Sequence, residues 1–321
     1  MNIRILNAES LGARGLACSI QLKQQKILID PGVALGWSRH GLLPHPFQVA
    51  VGAEIRQTII NELEDATDVV FSHYHGDHCP LLNPNPYQLG INDAKDSLSR
   101  CRIWAGRDSD SSPLQKKRRD ELKSRFSKNW HDAEGTRQGP IEFSAPVPHG
   151  EGGGRRGMVM MTRIEEEGLT FVHASDIQLL NRHTIELISG WEPDIVLASG
   201  PPLYHYSSPA FQALRDLAWE NALELSRNTE TLIIDHHLLR SEEGLEWLAK
   251  LKESSANRVL CAAEFMEREP ILPEAWRSEL YKRVPVPENW HEDYSNGKAD
   301  TGKYLTAGWK ALISEGKIKK H

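Results

Sequence analysis

The sequence predicts a protein of the α/β class, and two observations support this prediction. First, the second half of the chain alternates helical patterns with short apolar strands, as expected for sheets that are covered by helices. Helices are predicted at 178–189, 209–226 and 242–253, and strands follow them at 194–198, 231–235 and 258–262. Second, the first half contains a short apolar strand, Asp68-Val69-Val70-Phe71-Ser72, that leads directly into a polar cluster. A rigid strand therefore presents a turn that is rich in chemically active side chains.

The other elements of the first half are shorter. Strands are predicted at 2–6 and 26–30, and the second ends at Asp30-Pro31-Gly32, where proline stops the strand and glycine permits a turn. A helix over 52–64 is indicated by apolar residues at helical spacing, namely Ile55, Ile59, Ile60 and Leu63. Further predicted elements are a polar helix at 114–127, strands at 158–162 and 169–173 around a turn at 165–168, and a helix at 301–314.

The chain is interpreted as one compact domain. Its 321 residues are long for one domain and short for two, and no linker, repeat or low-complexity segment divides them. Residues 266–300 differ from the rest, because they are rich in Pro, Glu and Trp and lack periodicity. We therefore predict a single domain over 1–321 with a decorated C-terminal region from about residue 265.

Composition indicates a water-soluble globular protein. Hydrophobic residues make up 39% and charged residues 26% of the chain, which is an ordinary balance. No apolar run approaches the roughly 18 residues of a membrane-spanning helix, and residues 1–10 lack the long apolar stretch of a signal peptide. The four cysteines are widely scattered, as expected of reduced thiols: Cys18, Cys79, Cys101 and Cys261. We therefore expect a cytoplasmic protein with no membrane association.

The net charge argues against a protein that binds nucleic acid non-specifically. The formal net charge is −6, whereas such proteins usually present a basic face. The basic run Lys116-Lys117-Arg118-Arg119 is followed at once by Asp120 and Glu121, a pattern typical of a solvated helix face. A small-molecule substrate is therefore expected, and nucleic acid is not the favoured partner. The oligomeric state is left open.

The polar cluster after the strand is His73-Tyr74-His75-Gly76-Asp77-His78. Imidazole and carboxylate are ligands that zinc takes where thiolate is absent. Gly76 lets the backbone curl, so that several of these side chains can reach one place. His73 and His75 can bind one metal ion, and Asp77 and His78 can bind a second. Four potential ligands in six residues make an ordinary polar loop the weaker interpretation.

Two coordination spheres need further ligands, which should lie at the ends of other strands. Three positions qualify. His149 precedes a glycine-rich turn, Asp176 follows the strand at 169–173, and the pair His236 and His237 follows the strand at 231–235. Taken singly, each position also suits a loop histidine or a capping aspartate, so the joint pattern carries the prediction.

With these residues in place, the sequence resembles the metallo-β-lactamase superfamily, and its longer phrases resemble an uncharacterised, largely prokaryotic branch of it. The family pattern is matched in order over about residues 2–262: an aspartate after an early strand, the HxHxDH run, then a His, an Asp and a His. The resemblance implies a four-layer αββα sandwich with metal ions at one edge of the two sheets.

The resemblance also implies a ligand set. The first metal ion would be held by His73, His75 and His149, the second by Asp77, His78 and His236, and Asp176 would bridge both. Asp30 would orient the ligand loop through hydrogen bonds. The strand-to-histidine spacing favours His236 over His237 as the last ligand. Two zinc ions are the expected cofactor, with iron or manganese as alternatives.

Such a site predicts a metal-dependent hydrolase. A shared metal-bound hydroxide would attack an ester-type bond, with phosphodiester or phosphoester substrates slightly ahead of lactones and thioesters. Asp77 is expected to align the hydroxide. Tyr204, His205 and Tyr206 follow the strand at 194–198, and His205 is the candidate proton donor, although a surface loop explains these aromatic residues as well. Candidate anion-binding residues are Arg155, Arg156 and Arg240.

Two alternatives belong to other classes. Sites of this kind also hold iron, so that an iron-dependent oxidoreductase of the same fold is the runner-up. Diiron relatives usually carry Glu where this chain has His75, which weighs against that branch. A non-catalytic protein that retains the metal ions for structure is the third interpretation, and the intact ligand set makes it less attractive.

Overall fold

The first six strands form one sheet and lie side by side in chain order. The computed structural model describes residues 1–107, 112–151, 157–206 and 208–319. The strands of this sheet are β1 (Asn2–Ile5), β2 (Cys18–Gln21), β3 (Lys26–Ile29), β4 (Asp68–Phe71), β5 (Arg102–Ala105) and β6 (Trp130–Asp132). Strands β1 to β3 pair antiparallel, and β3 to β6 pair parallel.

The second sheet has seven strands in the order β15-β14-β13-β12-β11-β8-β7. The remaining strands of the structure, which include a separate ribbon formed by β9 and β10, are β7 (Arg137–Gln138), β8 (Ile141–Phe143), β9 (Val147–Pro148), β10 (Met158–Val159), β11 (Thr162–Glu166), β12 (Leu169–Ser175), β13 (Ile195–Ala198), β14 (Thr231–Ile234) and β15 (Arg258–Leu260). Strands β12 to β15 are parallel, so their C-terminal ends meet at one edge.

Helices connect the parallel strands of both sheets, and further helices follow the last strand. They are α1 (Pro46–Leu63), α2 (Ile91–Leu98), α3 (Pro113–Arg125), α4 (Arg182–Gly190), α5 (Gln212–Arg227), α6 (Glu242–Ser254), α7 (Ala262–Phe265), α8 (Arg277–Arg283), α9 (Trp290–Ser295) and α10 (Gly302–Ser314), with short 3₁₀ helices at Leu203–His205, Pro209–Phe211 and Leu238–Arg240. None of the described helices is long and apolar enough to cross a membrane.

The two sheets and their helices build a four-layer sandwich. Strands β4 and β14 are buried along their whole length, as expected when helices cover one face of a sheet and a second sheet covers the other. One continuous cluster of buried apolar side chains extends from Ile5 to Ile318. The α/β class and the αββα sandwich that the resemblance implies are therefore confirmed.

Several predicted elements have different bounds in the structure, and two of the differences are informative. The helix predicted over 52–64 begins at Pro46, where the His45 side chain accepts a hydrogen bond from Phe47 N–H. Residues 46–52 are all buried, so this part of the helix has no polar face and no helical period in the sequence. The single strand predicted at 158–162 contains β10 and only the first residue of β11, which continues to Glu166 and pairs with β12 through the two-residue turn Glu167–Gly168. Both turn residues have positive φ, as tight hairpins require.

The C-terminal region packs against the first helix. Helix α10 lies beside α1, and the ring of Trp309 meets the ring of Phe47 edge to face at 5.3 Å. Gly308 permits this approach, because a Cβ there would lie 2.3 Å from the Phe47 ring. Helices α8 and α9 occupy the segment for which the sequence shows no periodicity.

Candidate metal centre

The loop after β4 is held by Asp30, which follows β3. Asp30 accepts hydrogen bonds from Ser72 N–H (2.8 Å) and from Ser72 Oγ (2.6 Å), and its Oδ2 lies 3.0 Å from His78 Nδ1. A proton on Nδ1 leaves the Nε2 lone pair of His78 facing the cluster, an arrangement that is usual for metal-binding histidines. These contacts agree with the orienting role expected of Asp30.

Two glycines allow other segments to approach this loop closely. A Cβ on Gly32 would lie 2.5 Å from the backbone nitrogen of His78, and one on Gly15 would lie 2.6 Å from the carbonyl oxygen of Asp77. Gly15 also has a φ of 138°, which side chains rarely tolerate. Any side chain at either position would displace the loop that carries the candidate ligands.

The first group of donors consists of His73, His75, His149 and Asp176. One donor atom from each lies within 4.8 Å of the others. His73 Nε2 is 2.9 Å from His75 Nδ1, and His149 Nε2 is 3.2 Å from Asp176 Oδ2. Burial lowers the pKa of His75 well below its ordinary value, and the neighbouring His73 and His149 lower it further. A neutral imidazole is the form that binds a metal ion.

The second group consists of Asp77, His78 and His236, whose donor atoms also lie within 4.8 Å of one another. His236 Nε2 is 3.3 Å from Asp77 Oδ2. His78 Nε2 is 3.2 Å from Asp176 Oδ2, and His236 Nε2 is 3.8 Å from Asp176 Oδ1. Asp176 therefore lies between the two groups. Its Oδ2 is 3.2 Å from both His149 of the first group and His78 of the second, and its Oδ1 lies on the side of His236.

Two further observations indicate that the donor atoms suit a pair of cations. His78 Nε2 and Asp176 Oδ1 are buried and have no hydrogen-bond partner among the described residues, which is costly unless another species binds them. Asp176 and Asp30 also bring negative charge into a buried place. Burial alone would lower the pKa of His78, but the Asp176 charge and the contacts with Asp176 and Asp30 raise it well above its ordinary value. The cluster thus attracts positive charge.

The two adjacent histidines differ in their contacts. Gly15 N–H donates to His236 Nδ1 (3.1 Å), while Arg240 Nη2 lies 2.7 Å from His236 Nε2. A neutral imidazole accepts at one nitrogen only, so the guanidinium contact competes with the Gly15 bond. His237 Nδ1 lies 3.2 Å from Ser199 Oγ, and its Nε2 lies 3.3 Å from Asp176 Oδ2. His236 thus has the position of a ligand beside Asp77, and His237 borders the first group.

The chain is similar over nearly its whole length to two curated proteins. A UPF0282 protein of Methanosarcina mazei is 47% identical over 308 residues, which are 95% of this chain and 100% of that protein. A UPF0282 protein of Pyrococcus horikoshii is 33% identical over 301 residues, which are 88% of this chain and 93% of the relative. This chain belongs to the UPF0282 family. No protein-family model matches it.

Solved structures with a partial likeness to this UPF0282 protein are more distant. One is a metal-dependent hydrolase of the β-lactamase superfamily, with 13% identity and a TM-score of 0.47 over 81% of this chain and 94% of the other. Another is an isothiocyanate hydrolase from Delia radicum gut bacteria, with 13% identity and a TM-score of 0.42 over 81% of this chain and 95% of the other.

A cavity of about 400 Å³ opens onto the two donor groups of the UPF0282 protein. Thirteen described residues line it: Arg14, His75, Asp77, Ser112, Gln115, His149, Asp176, Gln178, Pro202, Tyr204, His205, His237 and Arg240. The exposed His205 lies on this wall, at the end of the 3₁₀ helix after β13. Arg155 and Arg156 lie outside the described residues.

Gln115, in the first turn of α3, contacts the donor cluster and was not found from the sequence. Its Nε2 lies 3.1 Å from His75 Nε2, while its buried Oε1 has no hydrogen-bond partner in the described part of the chain. A half-turn of the amide exchanges these two atoms, and Oε1 then accepts the Nε2–H of His75. That bond leaves the His75 Nδ1 lone pair for a metal ion. A buried glutamine on a polar helix carries no local signal for this role.

Gln115→Leu should weaken metal binding by about tenfold, because it removes the acceptor that orients His75. Gln115→Glu keeps an acceptor and should stay closer to the wild type. Competition with a chromophoric chelator measures the affinities. Gln212→Leu, at an exposed position of α5, is the control. Equal affinities for Gln115→Leu and the wild type would show that the contact only fills space.

Proposed function

We propose that this UPF0282 protein is a metal-dependent hydrolase that cleaves an ester-type bond, with phosphodiesters or phosphoesters ahead of lactones and thioesters. One observation carries the proposal. Asp176 lies between two groups of buried nitrogen and oxygen donors, and both groups border an open cavity. A carboxylate has two oxygens and can hold two cations at the short separation that hydrolytic sites use, roughly 3.5–4 Å.

Two zinc ions are the cofactor that we propose. The donors are imidazoles and carboxylates, with no thiolate in either group, and zinc accepts this set. Bound there, the cations would polarise the substrate and provide a nucleophile from water at neutral pH. The chain then needs no serine or cysteine nucleophile.

The side chains around the cavity have separate roles in this proposal. Asp77 carries a carboxylate beside His236 and would orient the attacking water. His205 lies exposed on the cavity wall and would donate a proton to the leaving oxygen. The cavity volume of about 400 Å³ suits a small-molecule substrate.

The test is a substrate panel with metal-replete protein. Elemental analysis first gives the metal content and separates zinc from iron and manganese. Bis(p-nitrophenyl) phosphate, p-nitrophenyl phosphate, a lactone and a thioester are then assayed. We expect turnover that is lost on chelation, returns with the metal ion and is highest for a phosphate ester. A fully loaded protein that hydrolyses none of the panel would contradict the proposal.

A further inference from the structure

The cavity beside the donor groups is polar and carries two arginines. Among the described residues that line it, Pro202 alone has an aliphatic side chain. An acyl chain or other apolar group would find little apolar surface there. The wall is suited to a compact substrate with polar or charged groups.

The first arginine, Arg14, is already neutralised. Its Nε donates to Glu274 Oε2 at 2.8 Å, and its Nη2 donates to the other oxygen of the same carboxylate. This is the two-pronged pairing in which arginine and carboxylate match each other best. The charge of Arg14 is therefore compensated by Glu274, and Arg14 adds to the rigidity of the wall.

Arg240 is placed differently. Its side chain is buried, with 8% of the residue exposed, and its Nε has no hydrogen-bond partner among the described residues. The nearest carboxylate oxygens, Glu9 Oε2 and Asp77 Oδ2, are each 3.5 Å away. Its Nη1 donates to the hydroxyl of Tyr204 at 3.4 Å. The guanidinium thus lacks the two-pronged acceptor that Arg14 has.

The surroundings of Arg240 hold it at the cavity. Arg39 donates to the carbonyl oxygen of Arg240 at 3.0 Å, and its own guanidinium lies 4.5 Å from the centre of the Tyr204 ring. The Nη2 of Arg240 contacts two side chains, at His236 Nε2 and at Asp77 Oδ2. A cation bound by Asp77 and His236 would use these same two side chains. Nη2 would then be left facing the cavity.

We infer that Arg240 binds an anionic oxygen group of the substrate, a phosphate or a carboxylate, beside the bond that is cleaved. Planar guanidinium groups bind both anions through paired charge-assisted hydrogen bonds. The substrate is therefore a small anion, not a neutral long-chain lactone. This inference rests on the proposed hydrolase in one respect: the bond that is cleaved is placed at the cations.

Binding of simple anions tests the inference without any turnover. Calorimetry with metal-loaded protein measures the affinities for inorganic phosphate and for succinate, which separate phosphate from carboxylate recognition. Arg240→Gln should bind the preferred anion at least tenfold more weakly. Arg182→Gln, which removes the same charge from the exposed surface of α4, should bind it like the wild type. Equal affinity in Arg240→Gln and the wild type would overturn the inference. That result is expected if phosphate binds only to the metal ions, as an adventitious ion.

A ratio of rates covers the case in which Arg240→Gln also loses metal ions. Mono-p-nitrophenyl succinate and p-nitrophenyl acetate are esters with and without a free carboxylate. Metal loss lowers both rates together, whereas loss of anion binding lowers the ratio of their kcat/KM values. We expect that ratio to fall in Arg240→Gln, and an unchanged ratio counts against Arg240. If no ester is cleaved but phosphate binding still depends on Arg240, the hydrolase proposal fails and this inference stands.

Discussion

Asp176→Asn is expected to lower hydrolytic turnover by at least ~100-fold and to reduce the content of bound metal while the fold stays intact. Asp176 Oδ2 lies 3.2 Å from both His78 Nε2 and His149 Nε2, and Oδ1 is buried without a hydrogen-bond partner in the described part of the chain. Burial alone would raise the pKa of Asp176, but the surrounding histidines hold it well below its ordinary value. Asparagine keeps the size and removes the charge that two neighbouring cations require.

The competing role for Asp176 was a helix cap, and the structure argues against it. The helix predicted from residue 178 begins at Arg182, and the side chain of Asn181 caps it by accepting a hydrogen bond from Thr184 N–H at 3.0 Å. Asn181→Ala is therefore the matched control. It should cost about 0.5–2 kcal/mol of stability and leave metal content unchanged.

Three measurements on these two variants decide between the roles. Elemental analysis gives metal ions per chain, a p-nitrophenyl substrate gives turnover, and thermal unfolding followed by circular dichroism gives stability. Asp176→Asn should change the first two, and Asn181→Ala should change the third. Full metal content with near-normal turnover in Asp176→Asn would remove the bridging role.

The sequence pattern predicted those residues of the candidate site that directly follow a strand. Strand β4 is short and wholly buried, and the run from His73 to His78 follows it after one residue, so both were visible in a single stretch. His149, Asp176 and the pair at 236–237 also follow strands, which made them candidates. The convergence of Asp176 with the pair at 236–237 depends on the parallel order of strands β12 to β14, and His149 arrives from the separate ribbon of β9 and β10. Periodicity alone gives neither arrangement.

The residues that the sequence did not reveal act across long separations. Gln115 reaches His75 from helix α3, forty positions along the chain. The pairing of Arg14 with Glu274 spans most of the chain, and it distinguishes Arg14 from Arg240. From the sequence, Arg240 was only one of three candidate anion-binding residues. Strands β5 and β6 were also missed, since each spans only three or four residues and shows no alternation of apolar and polar side chains. Such contacts are set by tertiary packing, which leaves no local signature.

His236→Ala is expected to lose about one metal ion per chain and most of the hydrolytic activity, whereas His237→Ala should keep its metal content. The reason is position. The donor atoms of Asp77, His78 and His236 lie within 4.8 Å of one another, while in the described structure His237 joins such a group only with Asp176 and His236. A cation held by Asp77 and His78 therefore has His236 within reach. His183→Ala, on the exposed surface of α4, controls for the loss of a histidine.

The hydrogen bonds make this a demanding test, because they favour the other histidine. His237 can donate from Nδ1 to Ser199 Oγ, which already donates to Ile177 O, and this leaves its Nε2 lone pair free. His236 instead meets Gly15 N–H at Nδ1 and Arg240 at Nε2. For Nε2 of His236 to bind a cation, Arg240 must release Nε2 and Gly15 N–H must lose its bond to Nδ1, because a neutral imidazole has only one lone pair. Metal binding at His236 and a guanidinium directed at the substrate therefore both require Arg240 to leave His236. If His237→Ala loses the metal ion and His236→Ala retains it, the strand-to-histidine spacing has pointed to the wrong residue, and Arg240 remains beside His236 in the loaded protein.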